Sequence, residues 1–198
     1  MPPLTSRRKR PLDRRIPHLR DTKLCVIATE GEYTEKLYFS LFRNPRIQVK
    51  VLPAEDGRSA PEYVLDRLEL FAEEFQIGDE DELWVMLDVD RWGDSKLNEI
   101  SARTFRRGYG LAISNPCFEI WLYLHFLDIG SQNISCQKVE ALLRKHLGSY
   151  NKTNLNVEAY RPLLSEAVRR AKELHSNPNE LWPSLTGTHV YKIVERLI

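Results

Sequence analysis

The chain has 198 residues, 42% hydrophobic and 29% charged, with a formal net charge of +1. That is enough apolar material for one α/β domain with a full core, which excludes a disordered chain and a short disulfide scaffold. The near-neutral total hides an asymmetry: residues 1–23 carry eight Lys/Arg against two acids, leaving 21 basic and 26 acidic residues to the rest.

The arm, residues 1–22, mixes Pro2, Pro3, Pro11 and Pro17 with Arg7, Arg8, Lys9, Arg10, Arg14 and Arg15. No helical or strand period survives that pattern. It reads as an extended segment that binds nucleic acid through these six cations or straps its own domain. Lys23–Thr29 is a buried strand, followed by Glu30-Gly31, with Gly31 serving a tight strand-to-helix turn. Tyr33–Phe42 reads as a helix with Leu37, Leu41 and Phe42 on its apolar face. Ile47–Leu52 alternates as a half-exposed strand. Ala60–Phe75 is a long helix with Tyr63, Leu65, Leu68, Leu70 and Phe71 at its apolar positions.

The stretch Leu83-Trp84-Val85-Met86-Leu87-Asp88-Val89-Asp90 is an apolar strand ending in two carboxylates. Residues two apart on a strand point the same way, so Asp88 and Asp90 converge on one object. Adjacent carboxylates repel unless a cation lies between them, and oxygen ligands suit Mg²⁺ or Mn²⁺. The plainer alternative is an acidic turn after a core strand. Asp94–Arg107 reads as a charged helix and Tyr109–Ser114 as a fourth strand. Asn115-Pro116 breaks the chain, with Pro116 suited to the first position of a helix. Phe118–Phe126 is so apolar that its helix is expected to be buried nearly all round, Glu119 included.

From Ser135 no further strand is expected. Cys136–Leu147 reads as a helix stopped by Gly148, Val157–His175 as an amphipathic helix, and Thr188–Ile198 as a terminal helix with Val190, Ile193, Val194 and Leu197 on one face. The β-α alternation up to residue 134 predicts an α/β fold with a mostly parallel, doubly wound sheet flanked by helices. Residues 23–134 form that domain, and 135–198 a helical appendage packed on it. No apolar run reaches the length of a membrane span, and no signal-peptide pattern opens the chain, so a cytoplasmic location is expected. The cysteines form no metal-type pair, and Cys25 and Cys117 read as buried thiols. His125, on the apolar helix, reads as a core histidine rather than a ligand. No phosphate-cradling Gly-x-x-x-x-Gly-Lys loop is present.

Glu30 follows the first strand, and Asp88 and Asp90 end the third, so a doubly wound sheet can gather them at one rim. Glu35 lies one turn into the next helix and can face that rim. Glu119, after the fourth strand, needs a partner or serves the site, helix-dipole stabilisation being its plainer role.

The order Thr29-Glu30-Gly31, Thr34-Glu35 and Leu87-Asp88-Val89-Asp90 resembles the signature of Toprim domains, found in topoisomerases, primases and overcoming-lysogenization-defect nucleases. The whole chain resembles the RloB-like family more closely, through its Arg-rich arm, residues 30–35, Asp88-Val89-Asp90 and Ser114–Leu122. The resemblance implies a metal-dependent nuclease, with Glu30, Asp88 and Asp90 as ligands or as acid and base. Glu35 would be a further ligand, although it stands five residues after Glu30 where the related nucleases place an acid four after. A late lysine completes such sites, and Lys152, in a polar loop, is the candidate. The family is associated with prokaryotic anti-phage defence, often beside an AAA-type ATPase. The alternative is a catalytically inactive Toprim-like module that docks a partner ATPase or nucleic acid.

Overall fold

A computed structural model describes residues 22–198, except Asp56, Asp90, Arg91, Ser131, Ser176 and Pro178. The cations of the basic arm and Asp90 therefore lie outside the described residues. Four parallel strands carry the fold: β1 (Lys23–Thr29), β2 (Ile47–Leu52), β3 (Glu82–Asp88) and β4 (Gly110–Asn115). A two-residue strand, β5 (Gly187–Thr188), pairs antiparallel with β4. The sheet order is β2-β1-β3-β4-β5, an α/β fold consistent with a Toprim-like architecture. The chain steps outward from β1 to β2, then returns to build β3 on the other side. That reversal makes a crevice at the C-terminal ends of β1 and β3.

Alternation along the strands feeds two cores. Leu24, Val26, Ala28, Leu83, Val85, Leu87, Leu111 and Ile113 face one side. There they meet α2 (Pro61–Glu74) and α3 (Asp94–Arg106) through Val64, Leu65, Leu68, Phe71, Leu97 and Ile100. Cys25, Ile27, Met86 and Ala112 face the other side. That side is covered by α1 (Thr34–Phe39), α4 (Glu119–Leu124), α5 (Cys136–Leu147), α6 (Leu164–Leu174) and α7 (Tyr191–Val194). Val139, Leu143, Ala167, Ala171, Val190 and Ile193 thus share one core with the sheet.

Several expectations need correction. Strands do not stop at Ser135, because β5 adds to the sheet edge, held also by a hydrogen bond between Ser114 and Thr188 hydroxyls at 2.8 Å. Val157–His175 is not one helix. Pro162 removes a backbone donor, and two 3₁₀ turns, Val157–Ala159 and Arg161–Leu163, precede α6. The terminal helix shrinks to α7, although Val190, Ile193, Val194 and Leu197 are all buried as expected. On α2, Tyr63 and Leu70 point to solvent and Val64 takes the core position. On α1 and the turn after it, Tyr38, Phe39 and Leu41 are buried, while Leu37 and Phe42 are only partly so. Pro116 does not start α4. It follows a cis peptide bond, and the helix begins at Glu119. Ser135 caps α5 by accepting from the Lys138 N–H, and Gly148 ends it with φ 74°.

His125 sits in the aromatic cluster around Tyr38, Trp121 and Tyr160. Its Nδ1 faces the Trp121 carbonyl at 2.9 Å, so Nδ1 carries the hydrogen and Nε2 accepts from the Tyr38 hydroxyl at 3.1 Å. Burial lowers its pKa to about 4, and burial beside Lys192 and His175 lowers that of His189 to about 3. Both rings are neutral in the folded chain, whereas the unfolded chain binds protons below about pH 6.5. Their stabilisation is complete above that pH and is lost as pH falls towards 4, at up to about 1.4 kcal/mol per pH unit for each ring. Denaturant unfolding at pH 7.5, 6 and 5 should show this decline, and His125→Gln should flatten it. Equal slopes for both chains would mean that His125 is not held neutral.

Candidate active site

The register Thr29↔Met86 sends β1 and β3 out of the sheet side by side. Glu30, buried at the end of β1, turns back over β3. Its Oε1 accepts from the Asp88 backbone N–H at 2.9 Å, and the Trp92 indole donates to both carboxylate oxygens at 3.0 Å. These contacts fix the Glu30 carboxylate beside Asp88. On the far side of β3, Asp88 pairs with Ser114 of β4, whose exit leads to Glu119 at the start of α4.

One pocket is lined by Glu30, Glu35, Asp88, Glu119 and Lys152, together with Thr34 and Phe118. Charged side chains from separate stretches of the chain thus converge at the crevice. Glu35 is buried on the first turn of α1, and its Oε1 accepts from the Gly31 N–H at 3.1 Å. Burial, with the nearby Glu119 charge, pushes its carboxyl up to about 7, against the lowering effects of backbone hydrogen bonds and Lys152. Gly31 is required for a different reason from the one its place in a turn implies. A Cβ there would collide with both Glu35 oxygens. Gly31→Ala should therefore displace the Glu35 carboxylate, and a titration of Glu35 followed by NMR should show its raised pKa falling towards 4.5. An unchanged titration would show that the pocket absorbs the methyl.

Glu119 accepts from the Tyr150 hydroxyl at 3.0 Å and pairs with Lys152 Nζ at 2.7 Å. Lys152 also reaches Glu140 of α5 at 2.9 Å. Burial alone would lower the lysine pKa, but its bonds to Glu119 and Glu140 outweigh that and raise it, so the ammonium stays charged. The loop is tied to α1 by the Thr34 hydroxyl, which donates to the Lys152 carbonyl at 3.2 Å. Burial and the Glu119 charge raise the Tyr150 pKa, keeping the phenol protonated as a donor.

The reading of Cys117 as a thiol is overturned. Cys117 and Cys136 form a disulfide, while Cys25 is free and buried. Donor atoms of Cys117, Glu119 and Cys136 lie within 4.8 Å of one another. Two sulfurs bonded to each other offer no thiolate, so this group is not a thiolate metal site in this form. Tyr150 and Glu140 reach the site from segments with no local motif, whereas Trp92 stands two residues after Asp88-Val89-Asp90, close enough to that motif to be a candidate that sequence reasoning misses.

The lining donors are carboxylate oxygens, the set that hard divalent cations take. Burial is the main reason that Glu35 is raised to about 7, with the Glu119 charge adding to it, so a cation beside it would favour its ionised form. Those oxygens are of the kind that Mg²⁺ or Mn²⁺ takes, although among the described residues no three of these carboxylates offer oxygens within 4.8 Å of one another. No helix among the described residues is long and apolar enough to cross a membrane. A family model described as RloB-like protein matches residues 25–197. No curated protein and no solved structure matches the chain.

Proposed function

The chain belongs to the RloB-like family, and on that footing we propose that it is a metal-dependent nuclease hydrolysing phosphodiesters of DNA or RNA. The observation that carries the proposal is the convergence of Glu30, Glu35, Asp88, Glu119 and Lys152 on one pocket at the crevice of the sheet. Glu30 and Asp88 would hold the metal, with Glu35 and Glu119 facing it and Asp90 following on the chain. Bound there, Mg²⁺ or Mn²⁺ supplies charge stabilisation at the scissile phosphate.

The chain's own residues supply the rest. Lys152 stays cationic and orients a phosphate oxygen, and its raised pKa excludes it as a base. Glu35, with one oxygen held by the Gly31 N–H, exchanges a proton at its other oxygen, Oε2, near neutral pH. That suits it to take the proton of an attacking water. Glu30 is committed to the Asp88 N–H and the Trp92 indole, and so works as a fixed ligand. The family resemblance supports work in a prokaryotic anti-phage system beside an AAA-type ATPase.

The direct test is cleavage of duplex DNA, single strands, RNA and tRNA with Mg²⁺, Mn²⁺ or chelator. Cleavage only with metal is expected. Nucleic acid bound but left intact under every condition would favour the inactive docking module. For the arm, Arg7, Arg8, Lys9, Arg10, Arg14 and Arg15 are proposed to neutralise phosphates. Deleting residues 1–20 should flatten the salt dependence of binding by about 0.9 in log–log slope for each duplex phosphate that the arm neutralises. An unchanged slope would make the arm a docking or strapping segment.

A further inference from the structure

The Cys117–Cys136 bond joins the turn before α4 to the first residue of α5. Two residues after Cys117 stands Glu119, and one helical turn after Cys136 stands Glu140. Those two carboxylates share the Lys152 ammonium, at 2.7 and 2.9 Å. One covalent link therefore sets the spacing of the two acids that place the pocket's lysine. We propose that Cys117 and Cys136 are a reversible redox modification site that regulates the pocket through Lys152. The inference rests on the reading of that pocket as a metal-dependent site.

Cys117 is buried and Cys136 only partly, so the attack is assigned to Cys136 Sγ, which lies 3.7 Å from Glu119 Oε2 and 3.9 Å from Glu140 Oε1. The reductant is a dithiol, as in a thioredoxin-class protein. Its thiolate bonds to Cys136 Sγ, the Cys117–Cys136 bond breaks, and Cys117 leaves as a thiolate that takes a proton. The second thiol of the reductant then attacks the mixed disulfide. Cys136 departs and is protonated, and the reductant is left as a disulfide. Two electrons and two protons pass to the chain. Cys25 does not compete: burial pushes its thiol up to about 12 and keeps it protonated.

With the bond closed, α5 is held against α4, and Glu140 and Glu119 grip Lys152 from two sides. With it open, the N-terminal turn of α5 keeps its Ser135 cap but loses its covalent tie to the turn before α4. Glu140 draws away, and the Lys152 loop is left with Glu119 and the Thr34 hydrogen bond. A less fixed pocket binds its ligand more weakly, because ordering must then accompany binding.

The test uses the full chain, oxidised with diamide or reduced with a phosphine. Maleimide labelling under denaturing conditions should add one label to the oxidised chain, at Cys25, and three to the reduced one. Calorimetry with Mn²⁺ should give an affinity weaker by about fivefold or more after reduction, restored by reoxidation. Cys136→Ser, and independently Cys117→Ser, should bind like the reduced chain and ignore the redox state. Three labels on the diamide-treated chain would overturn the proposal, as would equal Mn²⁺ affinity in the two states. If neither state binds Mn²⁺, the metal-site reading fails separately. The redox site is then judged by hydrogen exchange over residues 136–152, expected to be faster after reduction, and equal exchange overturns it.

Discussion

Asp88→Asn is expected to abolish measurable Mn²⁺ binding and to lower metal-dependent cleavage by about 100- to 1,000-fold, the range for losing one preorganised electrostatic group. The substitution isolates the carboxylate. The bond that places Glu30 comes from the Asp88 backbone N–H, not its side chain, so Glu30 keeps its seat on that bond and on Trp92. Asparagine keeps the size of the side chain and removes the charge that a cation needs. Metal binding and activity should therefore fall far more than the melting temperature does. Calorimetry and thermal unfolding on the same preparation check both halves. A variant that binds Mn²⁺ and cleaves normally would remove Asp88 from the site. Glu30→Gln is less clean, because Glu30 also clamps β1 to the end of β3 and its loss mixes packing with chemistry.

The parts of this site that are legible in the sequence are those where a strand ends abruptly. An apolar run closing on Glu30, and another closing on Asp88, mark the C-terminal rim of a parallel sheet whatever the strand order. The order itself, with β1 against β3, has no local signature. Glu35 and Glu119 are placed by their distance into the next helix. Lys152 has only the late lysine of the resembling nucleases to recommend it, its polar loop suggesting a solvated charge, and Tyr150 and Glu140 have nothing, since their roles arise when α5 folds back over α4. The disulfide is hidden for the same reason: Cys117 and Cys136 are 19 residues apart on different elements. The long C-terminal helices fail on specific chemistry, Pro162 in one case and a two-residue strand in the other. The positions expected to be buried in the terminal helix survive, because the turn after α7 continues with Arg196 and Leu197 N–H groups donating to the Ile193 and Val194 carbonyls.

Glu119→Gln separates chemistry from architecture at the second acid of the Lys152 pair. Glu119 is buried, yet its two partners are unequal. The Tyr150 hydroxyl is a donor and finds an equally good acceptor in the glutamine carbonyl. Lys152 is about half exposed and retains Glu140 at 2.9 Å, so it is not stranded. The expected stability loss is about 1 kcal/mol, that of a hydrogen bond weakened but not orphaned. If Glu119 faces the metal and substrate, turnover should fall by about 100-fold or more in a chain that still melts cooperatively. Lys152→Met is the contrasting change. It leaves Glu119 buried without its cation and removes a positive charge that lowers the Glu35 pKa. The basic limb of the pH–rate profile contains no lysine in either case, whereas the limb set by Glu35 should move to higher pH in Lys152→Met and to lower pH in Glu119→Gln, where a charge that raises it has gone. A fall in melting temperature for Glu119→Gln with unchanged turnover of the folded fraction, and no movement of that limb, would make Glu119 a structural partner of Tyr150 and Lys152. The metal would then be left to Glu30, Asp88 and Asp90.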